Sequence, residues 1–222
     1  MGGYSSRPGA SDVPSEEEIR RVIPAIRAVT RELPEAIISV DTFRSEVAQA
    51  AVEEGAAMIN DISGGELDEK MLETAGTLAV PYICMHMRGT PATMSSMTDY
   101  QDITRDLISY FSDKIDRANK AGINDIILDP GFGFAKTRQQ NFELLDELTH
   151  LKVLQKPLLV GLSRKSMVYK TLNTDASNAL NGTTVLHTAA LLKGADILRV
   201  HDVKEAVECV RLIERFPSKV AR

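Results

Sequence analysis

The sequence predicts an α/β protein of the parallel-barrel class, a (β/α)8 barrel with six βα units visible along the chain. Two observations carry this. Six short apolar runs each end in a polar or charged residue: IISV before Asp41, AAMI before Asn60 and Asp61, PYICM before His86, DIIL before Asp129, LLVGL before Ser163-Arg164-Lys165, and ADIL before Arg199-Val200-His201. A helix-like segment follows every run, and strands alternating with helices argue for parallel βαβ units. In a parallel barrel the strand ends converge on one face, where such folds keep their chemistry.

Each element has a local reason. Residues 1–14 are rich in Gly, Ser and Pro and read as a loop. Ser15 and Glu18 form a capping-box pattern opening a helix, with Ile19, Val22, Ile23, Ile26 and Val29 on one face; Pro24 inside it should kink it. Residues 37–41 read as a strand, and a helix from about 44 to Gly55 follows, striped by Val47, Ala48, Ala51 and Val52. A strand at 57–62 leads to a short helix near 68–76. Strand 80–87 leads through the loop GTPATMSSM to a helix at about 99–121, closed by Gly122. Strand 125–129 enters a glycine-rich turn and a helix at about 138–152; strand 157–163 is followed by a loop and a helix near 177–193; strand 197–201 precedes the last helix at about 203–215.

No interior linker or charge block divides the chain, so residues 1–222 read as one barrel domain. A closed barrel typically takes about 250 residues, and the chain begins in the loop before its first helix. The expectation is a barrel whose first two strands are absent or truncated; an open six-stranded sheet is the other arrangement of the same elements. Net charge is −5, which argues against a global nucleic-acid footprint. No apolar run approaches the roughly 20 residues that span a bilayer. Cys84 and Cys209 lie in apolar segments without a disulfide framework, and no signal peptide is seen, so a cytoplasmic setting is expected.

Strand periodicity groups the chemistry, because alternate residues share a face. Arg199 and His201 point the same way, as do Ser163 and Lys165 one strand earlier. Loops after the last two strands of such barrels often hold phosphate, so this cluster reads as a di-anion or pyrophosphate site; the competing reading pairs Arg199 and His201 with Asp202 or Asp41. Asp129 precedes PGFGF. A carboxylate there is costly to bury unless bonded, and it would accept two adjacent N–H groups of a ligand; a turn cap is the alternative. Gly131 and Gly133 let backbone approach a ligand, and Phe132 and Phe134 could stack on a flat ring. Asn60 suits an amide-like heterocycle edge. Asp41 reads as a ligand carboxylate, and Asp41-Thr42 equally as the start of the next helix. His86 lies between Met85 and Met87, and only one parity can face the barrel. Arg7, in YSSRPGA, sits in a loop beside the strand-end face and is a candidate lid residue. Walker, HExxH, GxSxG and spaced Cys/His patterns are absent from the sequence.

Taken together, GGYSSRPGA, VDTFR, MINDISGG, MHMRGTP, ILDPGFGFAK, LLVGLSRKS and LRVHDV resemble the dihydropteroate synthase family over essentially the whole chain. The resemblance implies a TIM barrel, usually a homodimer, that condenses 6-hydroxymethyl-7,8-dihydropterin pyrophosphate with p-aminobenzoate, releases pyrophosphate, uses Mg2+ and is blocked by sulfonamides. It implies that Asp41, Asn60, Asp129 and Lys165 hold the pterin, with Asp129 on its guanidine-like edge, and that Ile62, Met87 and Phe134 wall the pocket. Arg199 and His201 would bind pyrophosphate. Ser6, Arg7 and Pro8 would close over p-aminobenzoate, and Lys165 and Ser166 would border it. The implied catalytic set is Asp41, Asp129, Lys165 and Arg7.

Two departures stand out. Tyr4 and Ser6 replace the family's more usual Glu and Thr, and nothing matches the Asn-x-Thr-Pro-Asp-Ser-Phe loop that follows the family's first strand and helps hold Mg2+. Competing readings are a pterin-binding corrinoid methyltransferase-like barrel, a non-catalytic fragment, and an interaction module.

Overall fold

The computed structural model describes residues 1–5, 12–90 and 93–216. Strands β1 (Ser39–Asp41), β2 (Met58–Asp61), β3 (Tyr82–Met85) and β4 (Ile126–Asp129) form a parallel sheet in chain order. Their registers set Asp41 beside Asn60 and Met85 beside Asp129. β5 (Leu159–Val160) and β6 (Ile197–Leu198) form a second parallel pair. A bridge between Leu128 and Leu158 joins the two sheets into one arc of the barrel class, with its last strand facing its first.

Alternation divides the strand residues between two environments. Met58, Ile83, Ile127, Leu159 and Ile197 point inward and pack into one apolar layer. Val40, Ile59, Tyr82, Leu128, Leu158 and Val160 point outward into the main core beneath the helices. Each fully buried aliphatic side chain there contributes about 1.5–3 kcal/mol. Beside β1, Asp41 N donates to Met1 O at 2.6 Å and the Met1 amino group donates to Ser39 O. A cavity of about 390 Å3 lies at this edge, lined by Met1, Ser39, Asp41, Asn60, Ile83, Leu159, Ile197 and Arg199 among others.

The helices are α1 (Ser15–Glu32), α2 (Ser45–Glu53), α3 (Met71–Leu78), α4 (Ile103–Lys120), α5 (Arg138–Asp146), α6 (Ser166–Thr171), α7 (Leu180–Leu192) and α8 (Val203–Ile213). Helix α1 runs through Pro24 as one element, but the expected capping box does not form. Ser15 is already helical, and the fully buried Glu18 reaches instead to Arg44 at 2.6 Å, tying α1 to the β1–α2 loop. A capping box does form at α5, where Thr137 and Gln140 satisfy each other's backbone N–H groups. The helix expected at 138–152 ends at Asp146 and continues as a 3-10 segment, Leu148–Leu154.

The segment after β5 contains α6, where the sequence suggested only loop. The last two strands are shorter than expected because side chains take over their ladder. His201 N, for example, donates to Ser163 Oγ at 3.2 Å instead of to a strand carbonyl. Among the described residues no helix is long and apolar enough to cross a membrane.

Candidate active site

Asp129, Phe134, Gly161, Ser163, Lys165, Arg199, Val200 and His201 line a cavity of about 180 Å3 at the carboxyl ends of β4, β5 and β6. The inward parity expected for Arg199 with His201, and for Ser163 with Lys165, is the one observed. Arg199 also lines the larger cavity beside β1, and its Nη2 lies 3.1 Å from Asp41 Oδ2. The pairing weighed against anion binding is therefore present for Arg199. His201 pairs with neither Asp202 nor Asp41 but meets Ser163 Oγ through Nδ1 at 2.9 Å. Asp202 is taken by Arg164 in a two-pronged ion pair, both contacts at 2.9 Å.

The polar groups form a chain around the opening. Asn60 Nδ2 donates to Asp41 Oδ1 at 3.1 Å, while Asn60 Oδ1 is buried without a partner among the described residues. Such an orphaned acceptor is costly, so it points to a ligand donor. Asp129 Oδ1 accepts from Gly131 N at 2.8 Å, so the turn reading holds for one oxygen, while Oδ2 makes no hydrogen bond among the described residues. Burial raises the Asp129 carboxyl above its ordinary range, opposed by the charge of Lys165, the Gly131 N–H, Arg199 and Lys136. Burial likewise brings Lys165 down to about 8, with Asp129 opposing and Arg199 adding to the shift. Lys165 donates to Phe132 O and lies 5.1 Å from the Phe134 ring centre, where the ring face attracts the cation. Both ions of this site are thus held in desolvated positions that a ligand could exploit.

Ile62, Met85, Met87, Met94 and Ala135 form an apolar cluster with Phe43 and Phe134 packed against it. This settles the parity after β3: the two methionines join the cluster that packs against Phe134, a wall of the cavity, and His86 turns into the core, 4.8 Å edge-on from Tyr110. Ser166, which follows the extended backbone at Lys165 (ψ 160°), is exposed at the first turn of α6 and is not among the residues lining the cavity. Thr42 is buried and holds Arg44 N at 3.2 Å as a turn residue, while Arg44 precedes α2. Ser6, Arg7 and Pro8 lie outside the described residues. The polar chain thus brings together Asp41, Asn60 and Arg199, the smaller cavity gathers Asp129, Phe134, Lys165, Arg199 and His201, and the apolar cluster adds Ile62 and Met87.

From the sequence, Met85 shared with Met87 a wall role that depended on the parity left open at His86, and Met94 had none. Met94 comes from a loop whose path no periodicity predicts. Sequence reasoning also missed Lys136, buried at 8% exposure behind the loop after β4. No group of three His, Cys, Asp or Glu side chains is arranged to hold a metal among the described residues.

At its strand ends the parallel α/β arc carries a cationic corner, a buried carboxylate and an amide oxygen without a partner among the described residues. The chain belongs to the family described as pterin binding enzyme, whose model matches residues 1–201. It is 45% identical over 217 residues to the dihydropteroate synthase of a Synechocystis strain, covering 96% of this chain and 75% of that protein. The fold matches a dihydropteroate synthase from Clostridium difficile solved in the presence of pteroic acid, with TM-score 0.90, 38% identity, and coverage of 96% of this chain and 79% of that one. It also matches the Xanthomonas albilineans dihydropteroate synthase solved with 4-aminobenzoic acid, with TM-score 0.89, 37% identity, and coverage of 97% and 78%.

Proposed function

We propose that this chain is a transferase of the dihydropteroate synthase type, joining 6-hydroxymethyl-7,8-dihydropterin pyrophosphate to p-aminobenzoate. The carrying observation is one cavity that places a buried carboxylate with a free oxygen against a cationic corner, Asp129 facing Lys165, Arg199 and His201. In the reaction the C–O bond from the pterin methylene to pyrophosphate breaks, a C–N bond to the aniline nitrogen forms, and that nitrogen sheds a proton. The aniline is already a nucleophile, so the protein's work is positioning and charge stabilisation.

The roles follow from residue chemistry. Asp129 accepts from the pterin's guanidine-like N–H groups, and Asn60 Oδ1 takes a further ring N–H. Asp41 steadies positive charge developing on the ring. Arg199 leaves Asp41 to join His201 on the pyrophosphate. Lys165 bridges the pterin site and the benzoate site, and Ile62, Met87 and Phe134 wall the ring. Ser6, Arg7, Pro8 and Ser166 are assigned to the benzoate side through the family resemblance.

Among the described residues no His, Cys, Asp or Glu cluster is arranged to hold a metal, so Mg2+ is assigned through the family resemblance. When bound it would supply charge neutralisation on the leaving group. We further propose a homodimer, supported by exposed apolar side chains on α7 and α8: Val185 at 57%, Leu192 at 46%, Val203 at 64% and Leu212 at 69% exposure. A cytoplasmic setting is supported by two free, buried cysteines. The test is pyrophosphate release from the pterin substrate with and without p-aminobenzoate. Release that requires p-aminobenzoate supports the assignment; pterin binding without release would favour a methyltransferase-like pterin carrier.

A further inference from the structure

The loop between β4 and α5 shapes one side of the pocket, and a buried ammonium fastens it from behind. Lys136 Nζ lies 3.1 Å from Gly131 O, 3.0 Å from Phe134 O and 2.9 Å from His86 Nδ1. An ammonium has three donors, and these three acceptors use them all. That arrangement needs His86 neutral, with Nδ1 accepting. The surroundings supply this: burial lowers the His86 pKa well below its ordinary value, helped by the charges of Lys136 and Arg88.

The loop is pressed hard onto β3. Gly131 has φ +69°, and a Cβ there would stand 2.1 Å from His86 O. Gly131 N in turn donates to Asp129 Oδ1. Only one residue, Gly131, therefore separates the Lys136 ammonium from the carboxylate that faces the ligand. Phe134, whose carbonyl Lys136 also holds, carries the aromatic wall.

We propose that Lys136 is a positioning residue of the pterin pocket: anchored on His86, its ammonium locks the Gly131–Phe134 loop onto β3 and thereby sets where Asp129 and Phe134 meet the ring. This rests on the reading of the cavity as a pterin site. Two other ties hold the middle of the same loop, between the two carbonyls that Lys136 holds. Lys165 binds Phe132 O, and Asn141 Oδ1 accepts from Gly133 N at 2.7 Å.

The lock is proton-dependent. Burial brings Lys136 to about 7, with Asp129 raising its proton affinity and Lys165 and Arg88 lowering it. The other titratable groups around it are His86, held neutral, and the phenols Tyr100 and Tyr110, both pushed up by burial. Tyr100 donates to Ala135 O at 2.9 Å. Below about 7 the ammonium carries three donors and a charge that favours ionised Asp129; above it one donor and the charge are lost. Pterin affinity therefore falls as pH rises through that value.

Calorimetry on the full chain with two probes tests this: pteroic acid for the pterin site and inorganic pyrophosphate for the cationic corner. Lys136→Met should weaken pteroic acid roughly tenfold, the scale of a lost charged hydrogen bond, while pyrophosphate binding changes little. His86→Phe, which removes the anchor, should weaken pteroic acid selectively in the same direction. The wild-type pH profile for pteroic acid should show a midpoint near 7 that moves upward in Lys165→Ala, where a cation that lowers Lys136 is gone, and is absent from Lys136→Met. If wild type fails to bind pteroic acid, the pterin reading itself falls and the proposal with it. If wild type binds but a folded Lys136→Met binds equally well, or loses both probes in parallel, the positioning role is overturned. Should Lys136→Met not fold, His86→Phe and the wild-type profile decide, and a flat profile across neutral pH overturns it.

Discussion

At the scale of single residues, the site is governed by charges held out of water. Asp129 sits among Lys165, Lys136 and Arg199, yet burial still raises its pKa. Asp129→Asn keeps the shape and the Gly131 N–H contact but removes the anionic acceptor. Pterin affinity should fall by about 10–100-fold, the worth of a hydrogen bond to a charged group, with the melting temperature nearly unchanged; equal affinity in calorimetry would remove Asp129 from the site. Lys165→Ala should weaken both pterin and p-aminobenzoate binding, and wild-type turnover in that variant would exclude it. The sign of the pH effect follows from its shift. Lys165 is brought down to about 8, so it is charged below that value and neutral above it. Pyrophosphate affinity should therefore decline as pH rises through about 8, and a calorimetric pH series checks this against Lys165→Ala, in which the step should vanish.

Helices and strands were legible where burial and period agree. The alternation in β3 left open which face held His86, because Met85 and Met87 suit either a pocket or a core. Packing against Tyr110 and the contact with Lys136 chose the core. The Ser15–Glu18 pattern misled because Glu18 has a stronger partner in Arg44, from a different element. Close approach of elements also sets limits the sequence hides. In α3, a Cβ on Gly76 would stand 1.8 Å from Ala121 O at the end of α4. Gly76→Ala should therefore cost about 1–3 kcal/mol through overpacking, read as a fall in Tm of roughly 2–10 °C. An unchanged melting curve would show that α3 and α4 can slide apart freely.

For the whole molecule, the arc of six strands brings residues 158 positions apart into contact, Arg199 with Asp41. That ion pair stands where two cavities share Arg199. The exposed apolar residues of α7 and α8 bear on assembly. Val185→Asp combined with Leu212→Asp should shift the chain from dimer to monomer in sedimentation, because a charge buried at an apolar interface is costly. A wild-type chain that sediments as a monomer would refute the dimer.

The sequence by itself determined the α/β barrel class, the order of strands and helices, and the shared faces of Arg199 with His201 and of Ser163 with Lys165, while Asp41, Asn60 and Asp129 joined the set through the family resemblance. The class, the order and the shared faces follow from periodicities of two and 3.6 and from strand ends sharing one face, which are local properties of the chain. Tertiary structure decided which polar atoms already have partners. Arg199 is engaged by Asp41, Asp202 is held by Arg164, and Asn60 Oδ1 is left without a partner among the described residues. It also turned Ser166 outward and placed Lys136 behind the pocket, against His86 from another strand. Hydrogen-bond pairing between distant residues depends on three-dimensional distance and desolvation, and neither is written in the spacing along the chain.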